Sequence, residues 1–472
     1  MNVLLVVPPL EKTILDRSMS AIEEDRGVNP PLGLLYVASY LETNSSHEIT
    51  IIDCQVEGLD FGALQARIGE VRPDVLGMTV MTMSLPSVLE AARLAKEAVP
   101  ETQIVLGGPH VFLYPEETIR LPGVDFLVVG EGEESFRELL DAIGDKQRLR
   151  GIPGLVFRDG GEVVQTGTRP LIEDLDSLPH PARHLVPYRD YSSILAKRDP
   201  ATTLFTSRGC PFKCTFCSRP HLGKRFRYRS AANVVDEMET CVQMGIQEFL
   251  VYDDTFTVKR DRVMAICDEI TARKLDVGFD VRARVDTVDD EMLGALKRAG
   301  CQGVHYGIEA GTEKILKVLN KGISIERAQE VFKLTRKHGI PVLAYFMIGA
   351  PTETEEDILA TFDVMARLDP DYVHLTVLIP FPGTQIYGRA LDGGLYGGDV
   401  WREFAAHPDE SFELPHWSET FSREQLDSLA VRGYRQFYLR PTYVMRQIGK
   451  LRTLAEFKKK LKAGLHVLGM KK

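Results

Sequence analysis

Three cysteines lie within eight positions of one short stretch, SRGCPFKCTFCSRP, at residues 207–220. They are Cys210, Cys214 and Cys217, in the spacing C-x-x-x-C-x-x-C. A structural zinc site usually takes four ligands in two separated pairs, and no second C-x-x-C or H-x-x-H lies nearby in the sequence. A four-iron four-sulfur cluster normally takes four thiolates, so three leave one iron open to a ligand from outside the protein. The spacing therefore predicts a four-iron four-sulfur cluster with one open iron.

The elements around this stretch predict a barrel. From Thr202 onward, helical segments alternate with six apolar strands, TTLFTS, EFLVYD, VGFDVRA, GVHYGIE, PVLAYFMIG and YVHLTVLIP. Six parallel units indicate a partial (β/α)6 barrel over residues 201–385, with its active site at the carboxyl ends of the strands. The cysteine stretch directly follows the first strand, so we expect it at the mouth of the barrel.

A second α/β domain precedes the barrel. Residues 1–143 alternate helical segments with the strands NVLLVV, EITIID, DVLGMTV, QIVLGG and DFLVVG, a pattern typical of a doubly wound parallel sheet. Residues 144–200 break the rhythm with a hairpin at Asp159-Gly160-Gly161 and a proline-rich stretch, and are expected to link the domains. Residues 386–472 are expected to form a C-terminal helical region.

Composition limits the partners and the location. The formal net charge of -10 and the pI near 5.7 argue against nucleic acid as a partner. The sequence has no uninterrupted apolar run of about 18 residues, the length that a membrane-spanning helix needs. The N-terminal apolar run is too short for a signal peptide, and seven cysteines fit a reducing compartment. We therefore expect a cytoplasmic protein.

The C-terminal tail differs in charge from the rest of the chain. Residues 440–472 hold ten lysines or arginines and one acid, Glu456. Apolar residues recur at threes and fours from Ile448 to Leu468, which predicts a basic amphipathic helix. Such a helix either lies on an anionic membrane surface as a peripheral contact or packs its apolar stripe on the barrel. The sequence leaves both interpretations open.

The cysteine motif, with Phe216 before its third cysteine, resembles the motif of the radical S-adenosylmethionine (SAM) superfamily. The resemblance covers about 200–385 and includes FLVYDDTFT, GVHYGIEAG, FMIGAPTETEEDI and IPFPGT. It implies that the open iron binds the amino and carboxylate groups of SAM. It also implies that an electron from an external donor, passed through the cluster, cleaves SAM to a 5'-deoxyadenosyl radical.

The same resemblance suggests which barrel residues bind SAM. Asp253 or Asp254 is placed to hold the methionine amine, although an aspartate there can also cap the next helix. Arg282 is a candidate for the carboxylate or for a buried ion pair, and Glu309 is similarly placed. Tyr306 is a candidate proton or hydrogen donor beside the cofactors, or a packing residue.

The N-terminal sheet resembles the cobalamin-binding domain that precedes the barrel in one large radical SAM subgroup. PPLGLLYVASYL, LGGPH and VVGEGEE carry this resemblance, whereas no G-x-G-x-x-G follows the first strand to bind a nicotinamide or flavin nucleotide. Glycine permits close approach of the backbone to a nucleotide tail, and hydroxyls can bind its phosphate and amides. The cobalamin-binding candidates are Asp53, Gln55, Gly58, Thr79, Ser84, Gly107, Gly108, His110, Gly130 and Glu131.

One departure concerns the lower cobalt ligand. Cobalamin domains of the methionine synthase kind carry D-x-H-x-x-G, whereas the corresponding stretch here is DCQVEG, residues 53–58. Gln55 replaces the histidine and is a poor cobalt ligand. We therefore expect an unligated or water-bound lower face, with the dimethylbenzimidazole tail inside the domain. A degenerate domain that binds no corrinoid is the alternative.

Together the resemblances imply a cobalamin-dependent radical SAM methyltransferase that acts on an unactivated carbon of a small-molecule or lipid-like substrate. Radical ring contraction, cyclisation or rearrangement without methyl transfer would use the same cofactors. Two further alternatives are a radical SAM enzyme that modifies lipids without cobalamin and an iron-sulfur sensor without turnover.

Overall fold

The computed structural model describes residues 1–15, 27–219 and 222–449, which fold around two large sheets. The first sheet begins with five parallel strands in the order β2-β1-β3-β4-β5. They are β1 Asn2–Val7, β2 Glu48–Asp53, β3 Val75–Thr79, β4 Gln103–Gly107 and β5 Phe126–Val128. Their apolar side chains are buried on both faces, as expected for a doubly wound sheet. The predicted sheet is confirmed.

Helices cover both faces of this sheet. They are α1 Leu32–Asn44, α2 Cys54–Glu57, α3 Phe61–Val71, α4 Leu85–Ala98, α5 Pro109–Leu113, α6 Pro115–Ile119, α7 Gly132–Ala142 and α8 Lys146–Arg150. On one face, α1 and α7 lie side by side and bury Leu35 and Phe136. On the other face, α3 and α4 bury Leu64 and Val88.

The hairpin expected in the linker extends the first sheet instead. Strands β6 Leu155–Asp159 and β7 Glu162–Gln165 continue the order antiparallel after β5. Val156 pairs with Leu127, and Phe157 pairs with Phe126 in the buried core. The hairpin thus covers an apolar edge of the sheet, and the N-terminal domain continues past residue 143.

The second large sheet is the predicted barrel, with six parallel strands in the order β15-β14-β13-β12-β11-β8. The strands are β8 Ala201–Leu204, β11 Glu248–Val251, β12 Gly278–Ala283, β13 Cys301–Glu309, β14 Val342–Ile348 and β15 Tyr372–Val377. The outer helices are α9 Ala231–Gln243, α10 Arg260–Ala272, α11 Asp290–Arg298, α12 Glu313–Val318, α13 Ile325–Lys337 and α14 Glu355–Leu368. A small antiparallel ribbon, β9 Ser207–Arg208 and β10 Arg227–Tyr228, flanks the cysteine loop. The partial barrel is confirmed.

The C-terminal region contacts both domains. Its helices are α15 Gln385–Asp392, α16 Val400–Ala406, α17 Arg423–Tyr438 and α18 Pro441–Gly449. Trp401 of α16 packs in the core of the N-terminal sheet, whereas Leu426 of α17 packs in the barrel core. The helical region therefore fastens one domain to the other.

Only the first part of the tail, up to Gly449, belongs to the described part of the chain. Arg440 and Arg446 bind Asp369 at the end of α14, which anchors α18 to the barrel. The predicted basic amphipathic helix over residues 450–472 lies outside the described residues. Within residues 1–15, 27–219 and 222–449, no helix is both long enough and apolar enough to cross a membrane.

Candidate functional site

The three cysteines lie on the loop after β9, at the carboxyl end of the first barrel strand. Cys210 is buried, Cys214 is half-buried and Cys217 is exposed, and all three are free thiols. In the described part of the chain, no three His, Cys, Asp or Glu side chains are placed to hold one metal ion. A cubane cluster takes each thiolate on a different iron, so its ligands need not meet at one point. Three free thiols on one loop fit a cluster.

Asp253, at the end of β11, holds the entrance to this loop. Its fully buried carboxylate accepts hydrogen bonds from the backbone N–H and the hydroxyl of Thr206 at 2.6 Å each. It also accepts the N–H of Ser207 at 3.0 Å and its hydroxyl at 2.6 Å. Arg262 completes the set at 3.2 Å. The carboxylate of Asp253 is therefore occupied in positioning the cysteine loop.

Asp254, the next residue, contacts the end of the cysteine loop. Its carboxylate lies 3.2 Å from Arg219, just beyond the third cysteine, and its side chain is 28% exposed. Burial raises the pKa of this carboxyl, whereas the charge of Arg219 lowers it. A cationic group next to Asp254 would therefore be stabilised. Of the two candidate aspartates, Asp254 is the one with a partly exposed carboxylate.

Arg282 lies on β12 and Arg284 directly follows this strand, and their side chains make different contacts. Arg282 stacks on Tyr252, with its guanidinium carbon 3.8 Å from the ring centre, and donates to the carbonyl of Val251 at 3.3 Å. Arg284 stacks on Phe212, and its Nη1 lies 3.8 Å from Sγ of Cys214. The sequence interpretation chose Arg282, but Arg284 is the residue that contacts a cluster thiol.

Glu309 forms a buried ion pair at the end of β13. Its carboxylate accepts a hydrogen bond from Nζ of Lys321 at 2.6 Å. The same ammonium lies 5.9 Å from the ring centre of Phe216, which packs against the barrel core. The structure thus brings Glu309 and Phe216 together around Lys321, beside the cysteine loop.

Tyr306 lies apart from this group. It is fully buried, its hydroxyl lies 3.0 Å from that of Thr335, and its ring packs on Phe332 of α13. Val304 and Ile308 lie two residues before and after Tyr306 on β13, so all three side chains point to the same face, and these two are also buried against the outer helices. Tyr306 therefore points away from the barrel interior. A residue that donates a proton or hydrogen to the cofactors would have to face that interior.

A cavity of about 320 Å³ lies where the two domains meet. The N-terminal domain lines it with apolar side chains of α1 and α7 and with the ends of β3, β4 and β5. The barrel domain adds Ser207, Arg208, Tyr252 and Asp254. One cavity is therefore walled by both the N-terminal sheet and the residues that flank the cysteine loop.

Half of the predicted cobalamin-binding residues line this cavity. They are Thr79, Gly107, Gly108, Gly130 and Glu131. Gly108 has a φ of 97°, and a Cβ there would come within 3.0 Å of the carbonyl oxygen of Val80. The backbone at Gly108 therefore requires glycine. An apolar recess with a hydroxyl at its edge fits the nucleotide tail of cobalamin.

The other five stabilise their own loops and are not among the residues that line the cavity. Asp53 caps α2 and accepts a hydrogen bond from Tyr191 at 2.7 Å, and Gly58 ends α2 with a φ of 64°. The side-chain amide of Gln55 lies 3.4 Å from the carbonyl oxygen of Pro8. Ser84 closes a turn on Met81. These contacts explain the motif residues without a cofactor.

His110 is fully buried on α5. Its Nδ1 lies 3.2 Å from the hydroxyl of Thr82, and its Nε2 has no hydrogen-bond partner among the described residues. Burial lowers the pKa of His110 to about 4, so the ring is neutral at physiological pH. The ring therefore contributes to packing under the loop that follows β3.

Sequence reasoning missed several residues around the loop. Arg208 and Arg219 lie two residues before and two residues after the cysteines, within the motif SRGCPFKCTFCSRP. Their positions in this motif were the signal that could have identified them as site residues. Lys321 has no local signal, because it reaches the site from a separate loop. The inner face of the barrel also holds polar groups, with Asp280 3.5 Å from His305 and Tyr345 3.3 Å from the same ring.

Comparison with known proteins agrees with this arrangement. The family model of the radical SAM superfamily matches residues 204–365, and that of the B12 binding domain matches residues 21–140. An uncharacterized methyltransferase of Pyrococcus horikoshii is 36% identical over 452 residues, which are 95% of this chain and 95% of that protein. The chain belongs to the cobalamin-binding radical SAM enzymes.

This cobalamin-binding radical SAM enzyme is also similar to a cyclase in sequence and to a solved structure in fold. An anaerobic magnesium-protoporphyrin IX monomethyl ester cyclase of Rubrivivax gelatinosus is 30% identical over 372 residues, 77% of this chain and 66% of the cyclase. The solved structure of OxsB with aqua-cobalamin and SAM superposes with a TM-score of 0.74 at 18% identity, covering 99% of this chain and 71% of OxsB. This second likeness concerns the fold.

The two domains imply the cofactors of this enzyme. A radical SAM domain implies a four-iron four-sulfur cluster and SAM, and a B12 binding domain implies cobalamin. The three free thiols and the cavity lined by both domains fit these groups.

Proposed function

We propose that this enzyme methylates an unactivated carbon of a small-molecule or lipid-like substrate. The observation that carries the proposal is the cavity that Thr79 and Gly107 of the N-terminal domain share with Ser207 and Asp254 of the barrel domain. A methyl carrier held in the N-terminal domain and a radical source held at the cysteine loop would both border this space. The substrate carbon would then lie between them.

The cofactors supply the difficult chemistry. When bound, cobalamin would supply a methyl carrier, and the cluster with SAM would supply a radical able to remove hydrogen from the substrate, with electrons from an external donor. The chain contributes ligands, orientation and exclusion of water.

Named residues account for this contribution. Cys210, Cys214 and Cys217 would bind the cluster, and Asp254 would receive the methionine amine, because Asp253 is already occupied by Thr206 and Ser207. Arg282, Glu309 and Lys321 would complete the SAM site. Thr79 and the backbone at Gly107 and Gly108 would border the nucleotide tail of cobalamin.

One relative that aligns over nearly the whole chain supports methyl transfer without naming a substrate. The Pyrococcus horikoshii relative, which aligns over 95% of both chains, is described as a methyltransferase. We extend that activity to this enzyme. No identified residue of the barrel selects among lipid, peptide, sugar or tetrapyrrole, so the substrate is best found by an untargeted experiment.

The experiment uses trideuteromethyl methionine as a label. Anaerobic cells that express either the wild-type enzyme or the Cys217→Ser variant are grown with this methionine, and their metabolites and lipids are compared by mass spectrometry. Methyl transfer predicts a product that carries an intact trideuteromethyl group and appears only with the wild-type enzyme. If a product requires Cys217 but carries no label, methylation is the wrong reaction.

That second outcome corresponds to a second candidate function. The cyclase of Rubrivivax gelatinosus is 30% identical over 77% of this chain and, by its name, closes a ring. Cyclisation or rearrangement without methyl transfer would need the same two domains. An unlabelled product that depends on both Cys217 and added cobalamin would favour this candidate, and one independent of cobalamin would favour radical chemistry by the barrel alone.

A further inference from the structure

Two arginines lie side by side on the ribbon that leads into the cysteine loop. Arg208 of β9 and Arg227 of β10 are directly paired in the antiparallel register. Both side chains reach out of the barrel domain towards the beginning of α7 in the N-terminal domain. There they meet Glu131 and Glu133, which belong to the stretch VVGEGEE.

The four side chains form a chain of ion pairs in the order Glu133, Arg208, Glu131 and Arg227. Nη1 of Arg208 lies 2.7 Å from Glu131 and its Nη2 lies 2.5 Å from Glu133. Arg227 donates to both carboxylate oxygens of Glu131, at 3.0 and 2.8 Å. The backbone N–H of Ile172 in the connecting segment donates to Glu131 at 2.7 Å. We call Glu131, Glu133, Arg208 and Arg227 the interdomain clamp.

The interdomain clamp is buried and balanced in charge. The exposed fraction of the side chains is 12% for Arg208, 5% for Glu133, 4% for Glu131 and 2% for Arg227. Burial alone would raise the pKa of Glu131, but the charges of Arg208 and Arg227 and their hydrogen bonds hold it below its ordinary value. A buried ion pair adds little net stability compared with apolar packing, but the loss of one partner leaves an unpaired buried charge.

The position of the interdomain clamp connects the two cofactor sites. Arg208 precedes Cys210 by two residues, and Asp253 holds the same ribbon from the barrel side through Ser207. The guanidinium carbon of Arg208 also lies 5.3 Å from the ring centre of Tyr36 on α1. Arg208, Glu131 and Glu133 all line the cavity between the domains. A shift of the interdomain clamp would therefore move the cysteine loop relative to the cobalamin-binding candidates.

We propose that the interdomain clamp fixes the separation and orientation of the cluster relative to cobalamin. Its members are positioning residues, and Glu131 acts through its arginine partners and not as a direct ligand of cobalamin. The inference requires both cofactors but holds whichever reaction the enzyme catalyses. It therefore stands or falls separately from the proposed methyl transfer.

The test measures the magnetic coupling between the two cofactors. Enzyme loaded with cobalamin and a reconstituted cluster is reduced until both Co(II) and the reduced cluster are paramagnetic, and the dipolar coupling is read by electron paramagnetic resonance. The wild-type enzyme is expected to give one well-defined coupling. Arg208→Gln, which keeps a polar side chain but loses the charge and both ion pairs, is expected to give a weaker or broadly distributed coupling at unchanged iron and cobalt content.

The second variant and the control separate geometry from misfolding. Glu133→Gln alters the interdomain clamp from the N-terminal domain, away from the cysteines, and should broaden the coupling even where Arg208→Gln impairs cluster assembly. Arg225→Gln removes an exposed pair with Glu173 on the same segment and should leave the coupling unchanged. A wild-type coupling in Glu133→Gln and in Arg208→Gln, or equal broadening in Arg225→Gln, would overturn the proposal.

Discussion

The carboxylate of Asp253 lies 2.6 Å from the hydroxyl of Ser207, three residues before the first cysteine of the motif. This contact distinguishes Asp253 from its neighbour Asp254. Asp253 is fully buried and fixes the course of the chain into the cysteine loop, whereas Asp254 faces the cavity beside Arg219. Both aspartates lie in the loop after β11, and of the two only Asp254 lines the cavity.

This division predicts different effects for two similar substitutions. Asp253→Asn breaks a buried charge pair with Arg262 and should lower the free energy of unfolding by about 3 to 5 kcal/mol. Asp254→Asn should leave stability within about 1 kcal/mol and weaken SAM binding. Urea unfolding of the apo chain and equilibrium dialysis of the reconstituted enzyme measure the two effects. Wild-type SAM affinity in Asp254→Asn would refute the role given to Asp254.

Arg284 is expected to set the reduction potential of the cluster. Its guanidinium lies 3.8 Å from Sγ of Cys214, and a nearby positive charge stabilises the added electron. Arg284→Gln should therefore shift the midpoint potential to more negative values, whereas Arg284→Lys should retain most of the wild-type value. Redox titration followed by electron paramagnetic resonance gives the potential. The matched control is Arg260→Gln, which removes the same charge at an exposed pair with Asp289. Equal shifts of the midpoint potential in both glutamine variants would contradict a local effect of Arg284.

A larger side chain at Gly107 should displace the cobalamin tail. A Cβ at Gly107 would lie 3.7 Å from the carbonyl oxygen of Val128, an ordinary van der Waals distance, so a longer side chain would extend into the cavity. Gly107→Leu is expected to weaken cobalamin binding by roughly tenfold or more, which corresponds to at least about 1.4 kcal/mol. Cobalt content and spectral titration measure this loss. Iron content should not change, and Gly69→Leu on the open side of α3 should bind cobalamin normally.

The loop after β14 predicts a pH dependence of stability. Glu353 is 1% exposed, accepts hydrogen bonds from the N–H groups of Gly349 and Ala350, and has its pKa raised by burial to about 7. The folded state therefore keeps a proton that the unfolded chain releases near its ordinary pKa of 4.5. The contribution of this group to stability is complete below about pH 4.5 and is lost as the pH rises towards 7, by up to about 3 kcal/mol.

Glu353→Gln should remove this dependence. The amide oxygen can accept the same backbone hydrogen bonds without a charge, so the variant should match the wild type near pH 4.5 and exceed it at pH 8. Urea unfolding at a series of pH values gives the comparison, with the exposed Glu355→Gln as control. A parallel pH profile for Glu353→Gln and the wild type would show that Glu353 is not protonated in the folded state.

The strands and the cysteine loop could be predicted because their signals are local. Apolar runs mark the strands, parallel connections fix where the strand ends meet, and three cysteines within eight positions place the cluster. Tyr306 shows the limit of such reading. Val304 and Ile308, two residues before and after Tyr306 on β13, pack against the outer helices. Because side chains alternate between the two faces of a strand, this pattern predicts that Tyr306 also faces the helices and not the site.

Residues that act across domains had no comparable signal. Glu131 meets Arg208 and Arg227 over 77 and 96 positions of sequence, and Glu309 meets Lys321 through a loop between separate elements. The sequence interpretation therefore gave Glu131 to the cofactor, although its carboxylate is used by the arginines. Pairing partners of buried charges depend on how the domains dock, which no local pattern contains.

The central claim is that one chain holds cobalamin and a four-iron four-sulfur cluster on either side of one cavity. The most direct measurement is the iron and cobalt content, with the absorption spectrum, of protein purified anaerobically after cluster reconstitution with hydroxocobalamin. The account predicts about four irons and about one cobalt per chain, with a reduced spectrum of cobalamin that lacks a lower nitrogen ligand. About four irons without cobalt would contradict it, because the N-terminal sheet would then hold no corrinoid.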